Sequence, residues 1–121
     1  MELTVERYGQ VALVRLPGDH IDAANVIDFK EAMQVVVAES SQVVIDLSTI
    51  QFVDSAALGA LLALLRDVTN VGGDLKVCRA GAQVKAILEL VRLDQLIEVS
   101  ETAESAVRSF NQPDWDSDDS N

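Results

Sequence analysis

Aromatic residues are scarce: one Trp, one Tyr and three Phe make up 4% of a 121-residue chain. The chain is still 49% hydrophobic, so a core is available, but it must be built from Val, Leu, Ile and Ala. One cysteine, Cys78, excludes an intramolecular disulfide and a cysteine-based zinc site. Basic residues are also few, 9 Lys and Arg against 20 Asp and Glu, for a net charge of −11. Nucleic acids and anionic membranes select basic surfaces, so this balance points away from both. It favours protein partners with basic or mixed surfaces. No long apolar run is present; residues 56–65 give ten in a row, against the roughly 20 a membrane span needs. The opening Met1-Glu2-Leu3 is acidic where a secretory signal is basic. The expectation is one cytoplasmic domain.

Hydrophobic patterning orders what remains. Residues 3–8 alternate apolar and polar, as a half-buried strand does. Gly9-Gln10 is a turn, and residues 11–16 read as a second strand stopped by Pro17-Gly18. So short a link makes a hairpin, and the fold opens antiparallel. Residues 18–25 form a loop, followed by a helix to about residue 38 with Val26, Phe29, Met33, Val36 and Val37 on one face. Residues 42–47 are nearly continuously apolar, which suits a central strand. A second helix starts at Asp54-Ser55, either of which can cap it, and ends at Gly72-Gly73. A strand at 75–79, a helix at 83–92, a short strand at 96–99 and a last helix capped by Ser100 complete the order ββαβαβαβα. This predicts an α/β domain over residues 1–110, with a mixed sheet of about five strands and about four helices. Residues 111–121 carry four Asp and no basic residue, with Trp115 as the one large apolar side chain. That composition predicts a disordered acidic tail in which Ser117 and Ser120 are solvated.

The second helix is the most informative stretch. Leu58, Leu61, Leu62, Leu65 and Val68 follow one helical stripe and are expected in the core. Ala56, Gly59, Ala60, Ala63, Asp67 and Asn70 line another side, small at first and polar later. Such a side either packs on a neighbouring element or admits another chain closely. Ser55 stands where free N–H groups and the helix dipole favour negative charge. It is either a simple cap or a hydroxyl that can take a phosphate of about −1.5 to −2 charge.

The segment Val43-Val44-Ile45-Asp46-Leu47-Ser48, followed by Phe52-Val53-Asp54-Ser55-Ala56-Ala57-Leu58-Gly59, closely resembles the signature of STAS domains. In particular it looks like the anti-sigma-factor antagonists of bacterial partner-switching systems. The resemblance extends over residues 2–110 through the hairpin, the Gly18-Asp19-His20-Ile21-Asp22-Ala23 loop and Gly72-Gly73-Asp74-Leu75-Lys76-Val77. It implies a STAS-like fold and a switch without catalysis of its own. In that family, the unphosphorylated antagonist binds a serine kinase that is also an anti-sigma factor, or a related switch kinase. Phosphorylation at the start of the second helix breaks the complex, and a PP2C-type phosphatase restores it. The implied contact residues are Asp22, Asn25, Asp54, Ser55, Ala56, Gly59 and Ala60, with Ser55 as phosphoacceptor. Asp22 has an equal structural use in capping the first helix. Asp46 is expected to orient the signature loop by hydrogen bonds, Gly81 to make a turn, and Cys78 to pack in the interior. No resident cofactor or metal is implied, ATP belongs to the partner, and the expected state is monomer or weak dimer.

The chain departs from the family pattern at one point. That pattern has two adjacent hydroxyls before Gly-Leu-Gly; here Ala56 and Ala57 follow Ser55. Ser55 is the one acceptor left in the motif, and a phosphorylation-independent binder is the alternative. An output other than a sigma factor is a second alternative, since the output lies in the partner. A response-regulator receiver has similar length, but it opens on a strand and a helix and needs a late lysine at a strand end; the last Lys here is Lys85, inside a predicted helix. An enzyme would have to use the single histidine, His20, in Asp19-His20-Ile21-Asp22, and neither GxGxxG nor a Walker A pattern is present.

Overall fold

The opening hairpin sets one edge of the sheet. In the computed structural model, which describes residues 1–111, β1 (Thr4–Tyr8) pairs antiparallel with β2 (Val11–Arg15). The following elements are β3 (His20–Ile21), α1 (Val26–Glu39), β4 (Gln42–Asp46), β5 (Phe52–Val53) and α2 (Ser55–Thr69). Then come β6 (Asp74–Cys78), α3 (Ala82–Leu90), a 3-10 turn (Leu93–Gln95), β7 (Glu98–Ser100) and α4 (Ala103–Asn111). The main sheet has the order β1-β2-β4-β6-β7, with every pairing after the hairpin parallel. The expected mixed five-stranded sheet and four helices are present. Residues 112–121, with Trp115, Ser117 and Ser120, lie outside the described residues.

Apolar runs become central strands. Val11, Ala12, Leu13 and Val14 of β2 and Val43, Val44 and Ile45 of β4 are all buried, because both sheet faces are covered. Ala12, Val14, Val43, Ile45, Leu75 and Val77 face the layer of α1, α2 and α3. Val11, Leu13, Val44 and Cys78 face α4, where Ala106 is buried among them. The α4 layer also holds Lys76, whose side chain is only 9% exposed. Its ammonium donates to the Ser109 hydroxyl at 2.5 Å and lies 4.3 Å from the centre of the Phe110 ring.

Four expectations need correction. Residues 3–8 alternate in sequence, but every residue of β1 is exposed. β1 is the edge strand, paired on one side only, and neither of its faces is buried to match the alternation. Residues 18–25 are not a plain loop: β3 within them pairs in parallel with β5, just before α2, as a separate two-stranded sheet. Strands of two residues are too short to show a period. Ser100 does not cap the last helix; it ends β7, and the Thr102 hydroxyl accepts the Ser105 N–H at 3.0 Å. The stripe on α2 is also rotated. Its buried residues are Ala57, Ala60, Leu61, Leu64 and Val68, whereas Leu62 is exposed and Leu58 and Leu65 are partly so. A helix rich in Ala and Leu is apolar nearly all round, so periodicity alone leaves its phase open. The small Ala57 and Ala60 face inward where α2 packs against both α1 and β6.

The end of α2 is fixed by backbone geometry. Gly72 has φ +85°, a conformation side chains disfavour. Gly73 follows with its N–H on the Val68 carbonyl at 2.8 Å. A Cβ on Gly73 would run into the Ser41 carbonyl, so this backbone approach requires glycine. The turn delivers the chain into β6, where Asp74 N–H donates to the same Ser41 oxygen at 3.0 Å.

Candidate functional site

The parallel strands β2, β4 and β6 end at the same side of the sheet; the loop after β2 carries Asp22 and Asn25, and the chain after β4 carries the signature. At the centre is Asp54, in extended conformation just before α2. One carboxylate oxygen, Oδ1, accepts the Ala57 N–H at 3.0 Å and so caps the helix. The other, Oδ2, accepts the Ala23 N–H at 2.9 Å from the loop before α1. The Ala57 N–H above all, then those of Ala23 and Ala56, hold this carboxyl below the usual carboxylate range against a smaller opposing effect of desolvation. Asp54 takes the capping role, so Ser55 does not. Ser55 is the first residue of α2 and is exposed.

The loop before α1 is held by its own side chains. Asn25 Oδ1 accepts the Asp22 N–H at 2.9 Å, and its Nδ2 donates to the His20 carbonyl at 3.0 Å. Asp22 Oδ1 accepts the Ala24 N–H at 2.9 Å, a turn bond rather than the α1 cap that its sequence position suggests. The α1 cap position is Asn25, which makes no side-chain capping bond. The Asp19 carbonyl accepts Gln51 N–H at 2.7 Å and Phe52 N–H at 3.3 Å. Together with Asp54, these contacts join the Asp22 loop to the start of α2.

Along α2, Ala56 is half-buried and Gly59 is exposed, with open space where a side chain would stand. Ala60, expected on the same surface, is 3% exposed and belongs to the core. The helical phase places Leu62 outward instead, 36% exposed. Two residues that the sequence did not place on this surface are exposed beside it: Phe52, 51% exposed, and His20, whose side chain is 45% exposed. Two-residue strands show no period in the sequence, so only the structure reveals that Ile21 and Val53 are buried while Phe52 and His20 point outward. His20 Nδ1 lies 3.0 Å from Asp19 Oδ1, and Nε2 lies 4.0 Å from Asp22 Oδ2. The Asp19 hydrogen bond, with the charge of both carboxylates, outweighs desolvation and raises the imidazole above its ordinary value.

Asp46 lies on the α4 side of the sheet with its carboxylate fully buried. Oδ1 accepts the Ser48 N–H at 2.8 Å, which fixes the exit of β4 toward the signature. Oδ2 faces Arg15 Nε at 3.3 Å and Arg79 Nη1 at 3.7 Å. Cys78 is buried beside this cluster, and burial, with the Asp46 charge, pushes its thiol up to about 11. Gly81 precedes α3 in extended conformation. Among the described residues, no group of three or more His, Cys, Asp or Glu side chains is placed to hold a metal ion. Among the same residues, no helix is long and apolar enough to cross a membrane.

Residues 2–106 match the STAS domain family. The chain belongs to that family. The anti-sigma F factor antagonist of Paenibacillus polymyxa is 27% identical over 110 residues, covering 88% of this chain and 92% of the relative. The crystal structure of an anti-sigma factor antagonist from Mycobacterium paratuberculosis superposes with a TM-score of 0.79 at 26% identity, covering 89% of this chain and 92% of the other. The Bacillus cell fate determinant SpoIIAA in its phosphorylated form shares the fold, with a TM-score of 0.68 at 15% identity, covering 90% and 99% of the two chains. In this STAS domain the signature therefore surrounds the Asp54 junction between the Asp22 loop and α2.

Proposed function

We propose that this STAS domain is a cytoplasmic anti-sigma-factor antagonist that works by binding and is switched by phosphorylation of Ser55. Unmodified, it docks on a serine kinase that is also an anti-sigma factor, through Ser55, Ala56 and Gly59 with Asp54 and the Asp22–Asn25 loop. The kinase transfers phosphate from ATP to the Ser55 hydroxyl, and a PP2C-type phosphatase removes it. The observation that carries the reading is that Ser55 is exposed at the first turn of α2 while Asp54 takes the cap. Its hydroxyl can thus be modified without removing the cap. Added charge would act locally: a phosphate beside Asp54, within a close-packed interface, opposes docking through repulsion and desolvation.

The test is incubation with the cognate kinase and ATP, with the phosphosite read by mass spectrometry. The expected result is one phosphate on Ser55 and loss of the complex. Ser55→Asp should weaken binding, and Ser55→Ala should bind and resist ATP. A stoichiometric phosphate at another residue would overturn the assignment. Ala56 at the second hydroxyl position favours one other reading, a binder that no kinase switches. Under that reading the complex survives ATP and the chain stays unmodified.

A further inference from the structure

We propose that the outward face of the β3–β5 pair, Phe52 with His20 beside it, is an anchor for the partner. The occupant is the kinase-type partner of the preceding section, on which this inference rests. It would present an apolar pocket bordered by basic side chains. Register puts His20 directly opposite Phe52, and Ile21 opposite Val53. The second pair is buried and fixes the small sheet to the core, so the first pair must face outward. The Phe52 ring is half-exposed, whereas Phe29 is fully buried. Exposed aromatics are typical anchors of protein interfaces.

Position and charge select the occupant. β5 runs through Asp54 directly into Ser55, so the ring stands three residues from the proposed phosphoacceptor. The backbone under it is rigid, because Phe52 and Gln51 N–H both bind the Asp19 carbonyl. The rim is acidic: Asp19, with a side chain 69% exposed, and Asp22 flank the imidazole. An apolar centre with carboxylates around it complements an apolar pocket with Lys or Arg at its edge. It repels a nucleic acid or an anionic membrane.

The experiment uses the full chain and the purified kinase shown to modify it, without ATP. Phe52→Ala should weaken the complex by about tenfold or more, and Asp19→Asn should slow association and flatten its salt dependence. Leu96→Ala, at an exposed apolar site on another segment, should bind as the parent does. A second measurement needs no variant: in a 15N-labelled chain, the Phe52 and His20 amide signals should shift on kinase binding together with those of Ser55 and Gly59. If Phe52→Ala binds within twofold of the parent and those two signals stay still, the anchor is refuted. Ser55→Asp would in that case still weaken binding, and the proposed function would stand. If the unmodified parent does not bind the kinase, both readings fall.

Discussion

The carboxylate of Asp54 holds two backbone segments at once, with Ala57 N–H on one oxygen at 3.0 Å and Ala23 N–H on the other at 2.9 Å. The first bond belongs to the helix that presents Ser55. The second comes from a loop 31 residues earlier in the chain. Helix start and loop therefore share one anchor. A residue that looks like a simple N-cap in the sequence also sets the distance between the two parts of the proposed contact surface.

Replacement of Asp54 separates these duties. Asp54→Asn retains a capping oxygen for Ala57 but loses the charge and the second acceptor. Asp54→Ala loses both bonds. Both variants should melt below the parent, Asp54→Ala the lower, and the Ala23 amide should exchange with solvent faster in each. The acid limb supplies the sign. The carboxyl is held below its ordinary 3.8, so its contribution is present above the unfolded value and is lost as pH falls through the lower folded value. Stability of Asp54→Asn should therefore fall less steeply than that of the parent below about pH 4, as followed by urea unfolding across that range.

Gly59 and Ala60 are adjacent and should respond in opposite ways. Gly59 is exposed with room for a side chain, so Gly59→Ala should stabilise the helix by about 0.5–1 kcal/mol. Gly59→Arg should fold and fail to bind the partner. Ala60 is buried in the core, so Ala60→Leu should overpack it and cost about 1–3 kcal/mol. Chemical denaturation gives both values, and a stable Ala60→Leu would show that the α2 interface with α1 and β6 can open.

These two positions show where the sequence is informative and where it is not. The sheet was legible because β2 and β4 are apolar runs and the hairpin is short. Asp46 was legible as an anchor of the signature loop, and Ser48 N–H is on its carboxylate. The phase of α2 was not, since Ala and Leu surround the helix and only packing decides which small residues face inward. The β3–β5 pair was hidden by its length, and with it the exposure of Phe52. The Asp54–Ala23 bond joins residues far apart in the chain, and no local pattern encodes such a contact.

Lys76 should be replaceable by an apolar residue but not by an acid. Its ammonium sits under α4, on Ser109 Oγ and over Phe110, with Glu98 at 3.8 Å. Lys76→Met gives up one hydrogen bond, a cation–π contact and the pairing with the half-exposed Glu98, and it removes the desolvation of a buried charge while keeping a contact with the ring. Ser109 Oγ retains the Ala106 carbonyl at 2.7 Å. The melting temperature should stay close to that of the parent. Lys76→Glu would bury a carboxylate against Glu98 and an aromatic face, at a cost of roughly 3 kcal/mol or more. Faster amide exchange through α4 should accompany it, with α1 and α2 less affected.

Cys78 supplies a prediction at high pH. The thiol is buried between β6 and α4, and its folded value of about 11 exceeds the ordinary 9.0. A raised value means that the folded state holds the proton more tightly. The associated stability is fully present below the unfolded value and is lost as pH climbs from about 9 to about 11. Two measurements check this. At pH 8 the native thiol should react with a chromogenic disulfide far more slowly than in urea, because reaction requires both exposure and the thiolate. Between pH 9 and 11 the parent should lose more stability than Cys78→Ala, whose core lacks the titrating group even though the cavity makes it less stable at neutral pH. Parallel pH profiles for the two chains, or fast labelling of the native protein, would instead mean that α4 opens readily and admits solvent to the sheet.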